Sequence, residues 1–166
     1  MSVAADEEIT HQFRLAMRRL AGGVALVTTY HDGGRHGMTA TSVTSLSMEP
    51  PALLACVHRA ASLHDPLRRG GLYCVNLLRA DQAELGRVFA SKPEGEARFA
   101  FGDWTTDSHG LPALRDCLAS MSCRVAATAE FGTHTVFMGN VREVRLSGAV
   151  NPLIYLDGQF GGFTAG

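Results

Sequence analysis

Lysine is almost missing from this sequence: Lys92 is the only one among 15 basic residues, the rest being arginine. The 16 acidic residues are interspersed with them, and the formal net charge is -1. A balance of this kind carries no electrostatic footprint for nucleic acid or for an anionic membrane surface. Long apolar runs are lacking as well, and none approaches the roughly 20 residues that cross a bilayer. The acidic opening, Met1 to Thr10, has no basic stretch followed by an apolar one, so it does not read as a secretory signal. A soluble cytoplasmic protein is the expectation. The four cysteines, Cys56, Cys74, Cys117 and Cys123, form no CxxC pair, and no His/Cys group has zinc-site spacing. No metal site is expected. Cys56 and Cys74 lie in apolar runs, where a free thiol behaves as a small buried hydrophobe. Absent too are GxGxxG after a strand, GxxxxGK[ST], HExxH and GxSxG. Any nucleotide cofactor is therefore handled without a Rossmann domain or a P-loop.

What is present points to a folded domain. Apolar residues make up 46% of the chain and charged residues 19%, and 166 residues suit one domain with one core. Glycine is abundant, at 18 residues, without any collagen period. Tight turns between short strands are the usual reason.

Asp6, Glu7 and Glu8 favour a helix start, and Ile9, Phe13, Met17 and Leu20 form an apolar stripe at helical spacing that Gly22-Gly23 ends. Val24 to Tyr30 reads as a strand, followed by an Asp32-Gly33 turn and a second strand over Gly37 to Met48. Ala52 to Val57 and Tyr73 to Leu78 are further strands, with a short helix over Ser62 to Arg69 between them. Asp81 and Glu84 have the spacing of a capping box for a helix reaching Phe89. Residues 91–116 read as a long loop region. Met121 to Phe131 and Thr135 to Leu146 form a hairpin turning at Gly132-Thr133-His134, and Leu153 to Leu156 is a last strand. About seven strands without regularly alternating helices argue for a mainly β, antiparallel, closed or partly closed barrel.

The most unusual segment packs six hydroxyl side chains into Thr39 to Ser47, ahead of Pro50-Pro51. Small side chains let a ligand approach the backbone, and hydroxyls can bond a carbonyl-rich heterocycle or a polyol. From the residues alone, a Thr/Ser-rich edge strand facing water is the better explanation of the segment, because β-branched Thr is common in strands. Asn76, polar in an apolar strand, needs hydrogen-bond partners and reads as structural.

Met38-Thr39-Ala40-Thr41-Ser42, then Ser45-Leu46-Ser47 and Pro50-Pro51, is similar to the signature segment of the flavin reductase-like family. Tyr73-Cys74-Val75-Asn76-Leu77-Leu78, Phe89-Ala90-Ser91 with Arg98-Phe99, Gly132-Thr133-His134 with Phe137 to Val141, and Pro152-Leu153-Ile154-Tyr155 resemble further family motifs in the right order, over about residues 11–163. The resemblance implies one domain folded as an FMN-binding split barrel, antiparallel and Greek-key-like, with flanking short helices. It implies hydride transfer from NADH or NADPH to FAD or FMN, with reduced flavin passed to a separate monooxygenase, and a homodimer. The matching positions place Met38, Thr39, Ala40, Thr41, Ser42, Ser45 and Ser47 against the flavin. They place Cys56, Val57, His58, Arg59 and Ser62 toward its phosphate, and Phe89, Ala90, Ser91, Lys92 and Arg98 near the phosphate or outer nucleotide. Tyr155 joins the cofactor set, and His134 positions the nicotinamide. Thr133 departs from the family, which often has Asp there, and His58 stands where an Asn usually precedes Arg59. A pyridoxamine-phosphate oxidase-like oxidase and a non-catalytic flavin-binding or electron-transfer protein are the rival readings.

Overall fold

The computed structural model describes residues 3–91, 95–148 and 150–164. The chain begins with helix α1 (Val3–Met17) and a two-residue strand β1 (Gly22–Gly23). Strands β2 (Ala25–His31) and β3 (Gly34–Ala40) follow, joined by a tight turn in which Asp32 and Gly33 take φ of 49° and 77°. That left-handed pair is why Asp-Gly stands there. The single strand expected over Gly37 to Met48 is two strands. β3 stops at Ala40, and β4 (Val43–Met48) starts after a break at Thr41-Ser42. β5 (Pro51–His58), helix α2 (His64–Gly70), β6 (Leu72–Leu77) and helix α3 (Ala83–Ala90) come next. The expected 91–116 loop contains a 3-10 segment, Gly95–Ala100, and a small ladder of β7 (Trp104–Thr106) and β8 (Pro112–Leu114). The long hairpin of β9 (Ala119–Phe131) and β10 (His134–Leu146) turns where expected. β11 (Leu153–Leu156) and β12 (Gln159–Gly162) end the described chain.

Seven strands form the main antiparallel sheet in the order β3-β2-β6-β9-β10-β5-β4. β3 and β4 are thus the two edges of one sheet, yet only Thr41 and Ser42 separate them along the chain. The sheet curls until its edges meet at that link, which is the seam of a split, unclosed barrel. Two helix expectations need correction. The helix expected over Ser62 to Arg69 starts two residues later, at His64, after Leu63 with no side-chain cap. The capping box near α3 is formed by Arg79 and Gln82 around a 3-10 turn. Asp81 instead accepts hydrogen bonds from the Arg79 guanidinium, which hold its carboxyl below the usual range.

The apolar run at Val24 to Val27 is buried on both faces. Ala25 and Val27 join Leu53, Val57, Tyr73 and Phe137 inside the curl, whereas Val24 and Leu26 join Leu85, Phe89, Phe99 and Leu153 under α3. The period of two along the strand feeds both cores. Asn76 ties β2 to β8: its amide donates to the Leu26 carbonyl at 3.2 Å and its carbonyl oxygen accepts from Leu114 N at 2.8 Å. All four cysteines are free. Burial pushes the Cys74 and Cys123 thiols up to about 12. The apolar stripe of α1 does not join either core, and Phe13 is 65% exposed. No helix among the described residues is long and apolar enough to cross a membrane.

Candidate functional site

The break at Thr41-Ser42 leaves backbone and hydroxyl groups outside any strand pairing with both sheet edges at hand. Ser42 is fastened to β5: its carbonyl accepts from Cys56 N at 3.0 Å, and its hydroxyl donates to the Cys56 carbonyl at 3.0 Å. Thr41 and Ser42 are both exposed. Thr41 also lies against Gly22, where an added Cβ would come within 3.2 Å of the threonine Cβ. Gly22 is paired with Tyr155, so β11 brings that tyrosine to the same rim.

Antiparallel pairing of β5 with β10 sets His58 directly opposite His134. One residue on, Arg59 leaves the ladder. Its backbone N–H donates to the Thr133 carbonyl at 2.9 Å, and its guanidinium donates to the Gly132 carbonyl at 2.6 Å. Glu130 lies 3.7 Å from the same guanidinium. The hairpin turn and the end of β5 thus form one exposed ledge carrying two imidazoles and an arginine. Ser62 is exposed in the turn before α2. Beneath the ledge, His64 is buried, with Nε2 2.9 Å from the Thr135 hydroxyl and Nδ1 3.2 Å from the Asp65 carboxylate.

Several expected ligand residues have other tasks. Thr39 turns its hydroxyl toward α3 and donates to the Gly86 carbonyl at 2.6 Å. Met38 packs against the inner core, and Ala40 and Val57 are buried in it. Phe89 is fully inside the second core, edge-on to Phe99 at 5.2 Å. Side-chain contact between Val57 or Phe89 and a ligand is ruled out by that packing. Arg98 is buried and braces the wall: it donates to the Gly37 carbonyl and to the Ser91 carbonyl, each at 2.6 Å. Ser91 in turn donates to the Arg87 carbonyl, and Ala90 is exposed beside it at the end of α3. Lys92 lies outside the described residues. The Ser47 hydroxyl accepts from Glu49 N. Ser45 and Ser47 face a recess of about 390 Å³ whose wall is mostly apolar, including Leu53, Met121, Val141 and Val144.

The residues that remain outward-facing fit a flavin in kind. The exposed Thr41 hydroxyl, and the Ser42 hydroxyl as an acceptor, suit a polar heterocycle edge, and Arg59 suits a phosphate if it leaves Glu130. Gly22, His64 and Glu130 were not visible as site residues in the sequence. A close approach at Gly22 has no sequence signature, and His64 opens a short helix rich in charge, His64–Gly70, where nothing in the sequence announces its burial.

Residues 17–164 match the family model described as "Flavin reductase like domain". The chain is 38% identical over 148 residues to the "FMN reductase (NADH) RutF" of Variovorax paradoxus, covering 89% of this chain and 82% of that one. It is 39% identical over 158 residues to the "FADH(2)-dependent resorcinol hydroxylase, reductase component" of Rhizobium sp., covering 94% and 88%. Among solved structures, the Streptomyces globisporus NADH:FAD oxidoreductase SgcE6 in complex with NAD and FAD fragments superposes with a TM-score of 0.87 at 30% identity, covering 93% of each chain.

Proposed function

This chain belongs to the flavin reductase like domain family, and on that footing we propose that it reduces FAD or FMN with NADH or NADPH and delivers the reduced flavin to a separate monooxygenase. The observation that carries this reading is the seam itself. The family's signature segment falls at the link between the two sheet edges, where Thr41 and Ser42 face outward and Ser42 is held on Cys56 of β5, the strand that ends at His58 opposite His134.

Hydride transfer between nicotinamide and flavin is chemistry that those two molecules bring with them. The residues have to align them and keep water from the reacting faces. Thr41 offers a donor and the Ser42 hydroxyl an acceptor to the edge of the flavin, and Tyr155 borders the same rim through Gly22. Arg59 binds the flavin phosphate on exchanging Glu130 for it. His134, on the exposed hairpin end, positions the nicotinamide. None of these groups has to act as an acid, base or nucleophile.

A homodimer completes this reading. The apolar recess along β4 is bordered by Met48, 76% exposed, and Val144, 51% exposed. A patch of this kind favours cover by a second copy. Four free thiols agree with a reducing cytoplasm.

The deciding experiment is NAD(P)H oxidation by the purified protein, crossed over both flavins and both nicotinamides. Rapid oxidation that saturates with added free flavin is the expected result. Tight flavin binding without turnover would overturn it in favour of a flavin-binding protein. Size-exclusion chromatography with light scattering tests the dimer.

A further inference from the structure

Arg59 holds its guanidinium on the hairpin ledge by one nitrogen. Nη2 donates to the Gly132 carbonyl at 2.6 Å, and the backbone N–H donates to the Thr133 carbonyl at 2.9 Å. Nη1 is not fastened in this way. It lies 3.7 Å from a Glu130 carboxylate oxygen, which is beyond hydrogen-bond length. Both side chains are about half exposed, and Glu130 is in no other ion pair among the described residues. The arginine is thus placed by the turn, while its outer face is shared loosely with one carboxylate.

The reach from the seam suits a flavin. Ser42 is bonded to Cys56, and Arg59 stands three residues further along the chain, roughly 10 Å at about 3.3 Å per residue. An extended ribityl chain carries a phosphate about that far from the flavin ring. A phosphate arriving there meets Nη1 as the open donor, while Nη2 keeps Gly132. Glu130 stays beside this seat with a charge of the same sign as the phosphate.

The cost of that carboxylate rises with the charge it faces. FMN ends in a phosphate monoester, which carries about −1.5 to −2 charges at neutral pH. In FAD the same phosphate is linked onward to adenylate, and a phosphate bonded on both sides carries about one charge. Riboflavin has no phosphate. Resting on the reading that Arg59 receives the flavin phosphate, we propose that Glu130 is a specificity residue for the flavin, disfavouring the monoester of FMN relative to FAD.

Fluorescence titration of riboflavin, FMN and FAD against the full chain tests this, at low ionic strength where exposed charges are least screened. Glu130→Gln and Glu130→Ala are compared with the parent, the alanine variant controlling for a new amide donor. In both, FMN affinity should rise about threefold, the scale of an exposed charge pair. FAD affinity should rise less, and riboflavin affinity should not move. Arg59→Met should bring FMN and FAD toward the affinity of riboflavin. NADH oxidation by the parent is followed separately. A parent that binds flavin without oxidising NADH overturns the reductase reading and leaves the Glu130 comparison intact. The specificity role is overturned if FMN affinity is unchanged in either Glu130 variant, if FAD or riboflavin gains as much as FMN, or if Arg59→Met binds FMN and FAD like the parent. A parent that binds no flavin overturns both.

Discussion

The imidazoles of His58 and His134 meet edge to face across β5 and β10, with ring centroids 4.9 Å apart and planes at 80°. Each ring is also anchored beside its own backbone. His58 Nδ1 accepts from Ala60 N at 3.0 Å, and His134 Nδ1 lies 2.9 Å from the Thr133 hydroxyl. The pair is a fixed surface on the hairpin ledge. Replacing His134 by Ala should raise the KM for NAD(P)H about tenfold, equivalent to about 1.4 kcal/mol, while leaving flavin affinity intact. His58→Ala should raise it less, by loosening the His134 ring. Steady-state kinetics with flavin binding measured in parallel separates these effects, and unchanged kinetics in the His134 variant would remove it from the site.

Thr41 and Ser42 offer hydroxyls to a ligand without being needed by either core. Thr41→Val and Ser42→Ala should each weaken flavin by about three- to tenfold, the worth of one hydrogen bond of about 0.5–1.5 kcal/mol. Fluorescence quenching of FMN or FAD reads this directly. The melting temperature of Thr41→Val should hardly change.

Gly139 lies against the ring of Tyr73 inside the barrel. An added Cβ would overlap the phenol hydroxyl and come within 2.8 Å of the ring carbons. Gly139→Ala should therefore lower stability by about 1–3 kcal/mol, as overpacking does in a filled core. The Tyr73 hydroxyl is itself buried without a hydrogen-bond partner. Tyr73→Phe should thus be neutral or stabilising in urea unfolding, and it should recover part of the Gly139→Ala loss.

Buried thiols predict alkaline instability. Cys74 and Cys123 rise from about 9 to about 12 because burial disfavours the thiolate. Above pH 9 the unfolded chain loses these protons first, so it holds fewer protons than the folded one. Stability is then full below about pH 9 and falls progressively toward pH 12. Urea midpoints across pH 8 to 11 should fall accordingly, and Cys74→Ala should flatten the decline. At pH 8, Cys56, half-exposed on β5, should react with a disulfide reagent well before the three buried cysteines.

Arg98 holds three pieces of structure at once, linking Gly37 on β3, Ser91 at the end of α3 and its own 3-10 segment. Arg98→Met leaves buried carbonyls without these donors and should cost about 3 kcal/mol. A lower melting temperature together with weaker flavin binding is the expected outcome, because β3 leads directly into the seam. Weaker binding at an unchanged melting temperature would instead give Arg98 a direct ligand role.

Much of the architecture was legible from period and turn chemistry. The Asp32-Gly33 turn, the Gly132 hairpin and the buried run at Val24 to Val27 carry local signals, and the fold uses them as read. Asn76 was legible for the same reason, since a polar residue in an apolar strand must find partners. The break at Thr41-Ser42 was not. Thr and Ser fit a strand as well as a loop, and only the return of the sheet on itself makes the chain stop pairing there. The capping box at α3 misread for a related reason: Asp81 had two possible bonds, and a nearby arginine took it. Within the site, hydroxyls could be counted but their directions could not. Thr39 and Thr41 look equivalent in sequence, yet one faces Gly86 and the other faces outward. Arg98 and Phe89 fall within family motifs and are both buried here, and a motif does not distinguish packing from contact.

The Thr41-Ser42 link has a bearing on which changes of length the chain can absorb. An extra residue in the exposed turn at Gly132 lengthens a loop and leaves both strands in register. An extra residue between Ala40 and Val43 acts on the circumference of the barrel. It shifts how far one edge can stand from the other and moves the outward hydroxyls at the same stroke. Barrel girth and the placing of those hydroxyls are therefore inherited together, through two residues.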